Sequence, residues 1–179
     1  MIILYKGRRG AGKTLSMIKD GLRYYQNGFK ILRNFTLSFG TFISNEEILL
    51  LDKNSKIDNC VLMIDEMQIF FDSRRSMKTE SINFSNFIQQ IRKRNIILLC
   101  TTQYSNTIDL RLRQHLDIVA YPNFNKKFNV CEVLYLDLTS IEDNLLTNKD
   151  AKPSSINIVY YAQPLFKLYD TTQMIGRTS

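Results

Sequence analysis

The residues best suited to chemistry form one short glycine-rich stretch near the start of the chain. Residues 7–14 read Gly-Arg-Arg-Gly-Ala-Gly-Lys-Thr and match the pattern G-x-x-x-x-G-K-[ST] at every fixed position. Glycines let successive backbone N–H groups curl around a phosphate, while the lysine and the hydroxyl of such a loop reach the outer phosphates and Mg²⁺. The predicted phosphate-binding residues are Gly7, Gly10, Ala11, Gly12, Lys13, Thr14 and Leu15.

The flanking sequence has the strand–loop–helix pattern that a phosphate loop requires. Residues 2–5 are continuously apolar, as expected for a parallel strand covered on both faces. Residues 13–27 place Leu15, Ile18 and Leu22 on one helical face. The N-terminus of such a helix directs its positive dipole end toward an anion. This context favours phosphate binding over a chance glycine-rich turn.

A second group of candidate catalytic residues follows the apolar residues 60–64, which lead into Asp65 and Glu66. Ligands of parallel sheets bind beyond the carboxyl ends of the strands, so the acidic pair is expected beside the phosphate loop. We predict that Asp65 and Thr14 hold Mg²⁺ and that Glu66 polarises the attacking water. The next apolar strand leads into Gln103, which is expected to sense the γ-phosphate or to orient water.

Alternating strand and helix patterns predict an α/β fold, namely a RecA-like three-layer sandwich with a mostly parallel central sheet and an antiparallel C-terminal extension. We interpret residues 1–179 as a single domain, with a core at about 1–122 and a β extension at about 123–179. Helices are expected at 13–27, 45–51 (with Ser44 as N-cap) and 81–94. Strands are expected at 1–6, 30–35, 60–64, 96–100, 117–121, 130–138 and 156–162, with a closing segment at 165–169.

Composition narrows the possible environments and partners. The net charge of +7 favours a polyanionic partner such as nucleic acid or a membrane surface. No apolar run approaches the roughly 20 residues that span a bilayer, and the N-terminus enters a strand at once, so we expect neither a membrane span nor a signal peptide. Cys60, Cys100 and Cys131 lie in apolar runs and are interpreted as core residues in a reducing compartment, and His115 as a surface or interface residue.

Three motifs together resemble the FtsK–HerA superfamily of P-loop ATPases. They are residues 7–14, V-L-M-I-D-E-M-Q at 61–68 and L-L-C-T-T-Q at 98–103. Within the superfamily the chain is similar to the small genome-packaging ATPases of tailless, membrane-containing viruses. It is also similar to the ATPase domain of zonula-occludens-toxin-like proteins of filamentous phages. The tail at 165–172 resembles the usual ending of these families, and Arg92 stands where they usually place a basic residue.

The resemblance implies ATP hydrolysis that drives DNA through a homo-oligomeric ring, often a hexamer. The expected role is packaging of a single- or double-stranded viral DNA genome into a capsid, with capsid or inner-membrane vertex proteins as further partners and the host cytoplasm or a packaging vertex as the location. In such rings an arginine of one subunit completes the site of the next. Arg92 is the first candidate, and the alternatives are Arg94, Arg74 and Arg113.

The resemblance also implies basic loops that hold DNA phosphates without reading bases. The candidate residues for this role are Lys78, Arg74, Arg75 and Lys126. Arg8 and Arg9, inside the phosphate loop, are expected to face a neighbouring subunit if the loop forms half of a shared site.

Several alternatives stay open or are disfavoured. Toxin-like phage proteins usually continue into a membrane segment, which this sequence lacks, so the chain is either a packaging motor or the ATPase domain of a membrane assembly and export protein. A non-catalytic nucleotide-dependent binding protein is the third option. A GTPase is disfavoured because Asn148-Lys149-Asp150 is followed by Ala151 instead of completing N-K-x-D. A small-molecule kinase is also disfavoured. It would need a basic lid over the phosphates, and Asp65-Glu66 followed by Gln103 is not its usual pattern.

Overall fold

Eight strands and three helices occupy the parts of the chain that the computed structural model describes, residues 1–52, 54–71, 79–103, 113–139 and 152–169. The helices are α1 (Lys13–Gln26), α2 (Asn45–Leu49) and α3 (Thr79–Ile88). Two 3₁₀ turns cover Met67–Phe71 and Gln163–Lys167. The strands are β1 (Ile2–Lys6), β2 (Lys30–Arg33), β3 (Thr41–Phe42), β4 (Cys60–Ile64), β5 (Ile97–Thr102), β6 (Ile118–Asn125), β7 (Val130–Asp137) and β8 (Ser154–Tyr161).

The strands form one sheet in the order β3-β2-β4-β5-β1-β6-β7-β8. Pairing is parallel from β3 through β6 and antiparallel between β6, β7 and β8. Strand β5 lies between β1 and β4, which is the arrangement of RecA-like ATPases. The predicted mostly parallel α/β fold with an antiparallel C-terminal extension is therefore confirmed.

Two apolar clusters cover the two faces of the sheet and produce the three layers. On one face Leu62 of β4 packs with Phe84 and Phe87 of α3 and with α2. On the other face Met63 of β4 packs with α1, because successive strand residues point to opposite faces. Gly21 allows this close approach, since a Cβ at that position would lie 2.5 Å from the Met63 Sδ atom. Helix α1 is thereby held flat against the centre of the sheet.

The C-terminal extension is attached to α1 by partly buried polar contacts as well as by apolar packing. The hydroxyls of Tyr5 (2.6 Å) and Tyr135 (2.8 Å) both donate to Oδ2 of Asp20. The Ser16 hydroxyl lies 2.9 Å from the Tyr160 hydroxyl. Strands β7 and β8 are thus fixed to the helix that follows the phosphate loop.

Two predicted boundaries are wrong by more than two residues. Helix α3 ends at Ile88 instead of residue 94, and turns follow that include Asn95 at φ 51°, because the chain must reverse direction to enter β5. Strand β6 continues through Pro122 to Asn125, beyond the predicted end at residue 121. Proline is tolerated there because β6 pairs with β1 only as far as Ala120, so the later part of the strand has β7 as its neighbour.

The expected cap of α2 and the expected positions of the cysteines and the histidine agree with the structure. The Ser44 hydroxyl accepts from the Glu47 N–H (3.1 Å) and the Glu47 carboxylate accepts from the Ser44 N–H (2.8 Å), which is a full capping box. The three cysteines are free and buried, and burial raises the pKa of Cys60 to about 11. His115 is exposed. In the described ranges, no helix combines the length and the apolar character that a membrane crossing requires.

Candidate nucleotide-binding site

The glycine-rich loop between β1 and α1 adopts a conformation that glycine alone accommodates easily. Gly10 (φ 79°) and Gly12 (φ 90°) are both in the left-handed region. Gly12 is also the N-cap of α1, so the loop ends at the positive end of the helix dipole. A Cβ on Gly7 would lie 3.1 Å from the Ala11 Cβ, so the loop closes tightly on itself. These features are what a phosphate cradle needs.

Lys13 holds a cationic group at the mouth of this loop. Its Nζ donates to the Arg8 carbonyl oxygen (3.1 Å). Partial burial lowers the pKa of Lys13, while the carboxylates of Asp65 and Glu66 act in the opposite direction. The ammonium therefore lies within the field of both acidic groups. The Leu15 side chain is buried in the core, so only its backbone can face a phosphate.

The structure brings together the two predicted metal ligands, Thr14 and Asp65. The Thr14 hydroxyl lies 3.1 Å from Oδ1 and 3.2 Å from Oδ2 of Asp65, and the Thr101 hydroxyl donates to Oδ1. Burial raises the pKa of Asp65, although the bonds from Thr101 and Thr14 oppose that shift. A hydroxyl and a carboxylate are hard oxygen donors, so this pair fits Mg²⁺, which usually takes few protein ligands and completes its shell with phosphate oxygens and water.

Glu66 is held in an unusual conformation beside this pair. Its φ of 56° lies in the left-handed region, which a residue with a side chain rarely adopts. The Glu66 N–H donates to the Thr101 hydroxyl (2.9 Å), and Gln103 Nε2 lies 3.4 Å from Glu66 Oε1. The predicted base and the predicted sensor are thus in contact at the tips of neighbouring strands.

Two residues that sequence reasoning did not assign to the site hold the acidic pair in place. Asn34, which follows β2, accepts from the Asp65 N–H (2.8 Å) and donates to the Asp65 carbonyl (3.2 Å). Thr101, at the end of β5, joins the Asp65 carboxylate to the Glu66 N–H. Both are polar residues at the carboxyl end of a parallel strand, but only β5 is a continuous apolar run, since β2 reads Lys-Ile-Leu-Arg. The signal that located Asp65 and Gln103, an apolar run that leads into polar residues, also precedes Thr101. It does not precede Asn34, which follows Arg33.

The predicted arginines do not join this cluster. The Arg92 guanidinium pairs with Asp117, which also accepts from the Ile2 N–H (2.6 Å) at the edge of the sheet where β1 begins. Arg94 donates to the carbonyls of Ser55 and Ile57, which precede β4, and so lies at that edge as well. Arg113 precedes β6 and is exposed at the same edge. The candidates Arg74, Arg75 and Lys78 lie outside the described residues.

A phosphate loop after β1, together with an acidic pair at the end of a strand separated from β1 by β5, defines the class of P-loop ATPases. The sequence profile of the zonular occludens toxin (Zot) family matches residues 41–174. The chain therefore belongs to the zonular occludens toxin family, one of the two resemblances that its motifs indicated.

Solved structures share the fold. The N-terminal domain of zonular occludens toxin from Neisseria meningitidis is 18% identical with a TM-score of 0.61, covering 94% of this chain and 98% of that domain. The genome-packaging NTPase B204 of Sulfolobus turreted icosahedral virus 2, in complex with AMPPCP, is 14% identical with a TM-score of 0.58, covering 78% and 93%. The flagellar accessory protein FlaH of Methanocaldococcus jannaschii is 12% identical with a TM-score of 0.51, covering 76% and 77%. Comparison with curated protein sequences gives no significant match.

The Thr101 hydroxyl is expected to set the position of Glu66. Replacing it by the isosteric Thr101→Val should lower kcat for ATP by about 10- to 100-fold while KM stays within about 2-fold, because Glu66 loses the hydroxyl that fixes its backbone. Thr101→Ser keeps that hydroxyl and should restore kcat. Steady-state kinetics of both variants, beside their melting temperatures, test this. Equal kcat in the valine and serine variants would contradict it.

The buried carboxylate of Asp65 is expected to reduce the stability of the nucleotide-free protein. A raised pKa means that the fold favours the protonated form, so the stabilisation is complete below the ordinary carboxyl pKa of about 3.9 and is lost as the pH rises through the folded-state value. Asp65→Asn should therefore raise Tm at pH 7 by about 2–4 °C, and the difference should shrink on acidification. Thermal unfolding between about pH 4.5 and 7.5 measures it. A variant that melts below the wild type at pH 7 would contradict the expectation.

Proposed function

We propose that this chain is a Mg²⁺-dependent ATPase that hydrolyses ATP to ADP and phosphate and couples hydrolysis to the movement of DNA. The observation that carries the proposal is the contact between Glu66 and Gln103 directly beside the Thr14–Asp65 pair. A protein that only bound nucleotide would need the loop and the metal ligands, but it would not need a carboxylate held in a left-handed conformation by a buried hydroxyl.

The geometry of the site supports a role for each of its residues. The loop and Lys13 bind the phosphates, and Thr14 with Asp65 would hold Mg²⁺, which supplies charge neutralisation at the transferred phosphoryl group. Glu66 orients and polarises the attacking water. Gln103 fixes the Glu66 carboxylate and reaches toward the γ-phosphate. Asn34 and Thr101 hold the acidic pair against the sheet, so the carboxylates need little rearrangement when the nucleotide binds.

The second part of the proposal is a homo-oligomeric ring, with a hexamer as the expected form. Arg92 lies at the end of the sheet where β1 begins. The length of β1, roughly 16 Å, therefore separates it from its own phosphate loop. This distance supports action on a neighbouring subunit's site over action on its own. Arg92 would have to leave its ion pair with Asp117 to reach that site, and breaking the pair would cost free energy.

The proposed cargo is DNA. The net charge of +7 supports a polyanionic partner that is held without sequence readout. Among the two DNA-moving roles that the motifs imply, the family match supports assembly and export of phage DNA at the host inner membrane over filling of a capsid. Genome packaging remains the alternative, which the shared fold of the viral packaging NTPase supports. The proposed location is the host cytoplasm, at the membrane where assembly takes place.

Loss of either catalytic group should abolish turnover by different routes. Lys13→Ala should remove both ATP binding and hydrolysis, whereas Glu66→Gln should keep ATP binding and lower kcat by about 10²- to 10⁴-fold, because only water activation is lost. Phosphate release and nucleotide affinity are measured with and without DNA and with EDTA in place of Mg²⁺.

Lys30→Ala is a matched control, because this exposed lysine lies at the start of β2, away from the site. Full turnover in Lys13→Ala or Glu66→Gln would remove the site assignment. Hydrolysis that DNA leaves unchanged would leave an ATPase and contradict the coupling. Strong phosphoryl transfer to a nucleoside monophosphate would indicate a kinase.

Complementation between two inactive variants tests whether Arg92 acts on a neighbour. Arg92→Ala alone should lower kcat about 10³-fold, and so should Lys13→Ala. Co-assembled in equal amounts they should regain about a quarter of wild-type activity, because a Lys13 from one variant then meets an Arg92 from the other. Asp117→Asn, which removes the ion pair but keeps Arg92, is the control. A mixture that stays inactive would contradict action in trans.

A further inference from the structure

The turn between β6 and β7 exposes an aromatic ring between polar and basic residues. Residues 125–129 read Asn-Lys-Lys-Phe-Asn. The Phe128 side chain is 63% exposed. Lys126 and Lys127 are exposed as well, and the Lys127 Nζ lies 5.4 Å from the centre of the Phe128 ring. Burying a phenylalanine is favourable by about 1.5–3 kcal/mol, so its exposure here has no explanation in the stability of the fold.

The turn that presents this ring is ordered by its own hydrogen bonds. The Asn125 side-chain oxygen accepts from the N–H groups of Lys127 (3.0 Å) and Phe128 (3.4 Å). Asn129 is in the left-handed region at φ 51°, which asparagine tolerates better than most residues. Below the turn, β6 and β7 are paired continuously from Asn125 opposite Val130 to Ile118 opposite Asp137. The hairpin is therefore ordered, and it holds the Phe128 ring exposed to solvent.

The hairpin tip lies beyond the carboxyl ends of the parallel strands, as the phosphate loop does. Strand β6 runs parallel to β1 but pairs with it only to Ala120, so residues 121–125 project roughly 16 Å further. The exposed Arg8 and Arg9 of the phosphate loop share this edge. A Cβ atom added to Gly12 would lie only 3.0 Å from the Phe124 Cβ. The base of the hairpin therefore packs against the phosphate loop.

We propose that the tip formed by residues 125–129 binds single-stranded nucleic acid, with the Phe128 ring stacked on an unpaired base and Lys126 and Lys127 in contact with the phosphates. Aromatic rings beside lysines on a fixed support are the usual means of binding single strands without sequence preference. The inference deepens the proposed function, on which it rests for the presence of DNA, by naming the form of DNA and its contact.

Charge and shape favour this ligand over two others. A duplex buries its base faces, so it would leave the ring without a partner and use only the lysines. A membrane anchor needs more apolar area than one ring, and the neighbours of Phe128 in the turn are lysines and asparagines. No acidic residue occurs between Tyr121 and Cys131, so nothing along that stretch of sequence repels a phosphate backbone.

The absence of tryptophan from the sequence allows a direct test. Phe128→Trp places a single tryptophan at the tip, and stacking on a base should quench its fluorescence by about half or more when oligo(dT) is added at low salt. Duplex DNA of the same length should quench it far less. Phe42→Trp is the matched control, because Phe42 is 57% exposed on β3 at the far end of the sheet. A blue shift with anionic phospholipid vesicles, or no response to oligo(dT), would overturn the inference.

Affinities of the full chain for a labelled oligo(dT) provide the second readout. Phe128→Ala should weaken binding roughly 5- to 100-fold, while Phe42→Ala should leave it unchanged. Replacing Lys126 and Lys127 together by alanine should reduce the slope of log K against log salt by about 1.4, whereas Lys30→Ala with Lys152→Ala should not. The melting temperatures and the basal ATPase activity without DNA should stay at the wild-type values in every variant.

The outcomes separate this inference from the proposed function. If the wild type binds oligo(dT) and Phe128→Ala binds equally well, the tip is not the contact, while the coupling of hydrolysis to DNA stands. If the wild type binds no DNA of either form but hydrolyses ATP, both the tip and the DNA-moving function are wrong and the ATPase remains.

Discussion

The parallel register of β1, β5 and β4 is the constraint on which the candidate site depends. Tyr5 pairs with Thr101, and Ile64 pairs with Cys100, so the three strands end at nearly the same level. The phosphate loop, Thr101 and Asp65 follow these ends and must therefore meet at one edge. All five residues of β4 are buried, so a shift of one residue would move Asp65 into the apolar layer. The pattern that folds the sheet is also the pattern that assembles the chemistry.

Two features of the candidate site are unfavourable for the stability of the fold. Asp65 carries a raised pKa because it is buried, and Glu66 occupies a conformation that few residues with side chains adopt. Hydrogen bonds with Thr14, Thr101 and Asn34 satisfy the polar groups that this arrangement buries. Thr14 lies on α1, Thr101 lies on β5 and Asn34 directly follows β2, so each bond has a partner on or beside a regular element. The rigid sheet therefore supports two unfavourable features that a loop alone could not hold.

Local signals predicted the parts of the molecule in which neighbours in sequence decide the structure. The glycines of residues 7–14, the apolar β4 and the Ser44 N-cap were all predictable, because each depends on a few adjacent residues. The extension of β6 past Pro122 was not, since it depends on where the neighbouring β1 ends. The end of α3 likewise depends on the direction in which the chain must enter β5.

Contacts between distant residues were the least accessible to sequence reasoning. Asn34 and Asp65 are 31 residues apart, and only the pairing of β2 with β4 brings their ends together. Arg92 and Asp117 are 25 residues apart, and the placement of Arg92 at the far edge follows from the sheet order. A sequence pattern indicates which residue types stand at strand ends, but not which strands are neighbours.

Gly12 carries a double demand that the motif alone does not reveal. Its φ of 90° suits the phosphate loop, and the Phe124 Cβ and the Cys131 Sγ lie only 3.0 and 3.1 Å from where its Cβ would be. Any side chain there would push against the base of the β6–β7 hairpin as well as against the nucleotide. The glycine at position 12 is therefore required by the neighbouring hairpin as well as by the backbone conformation of the loop.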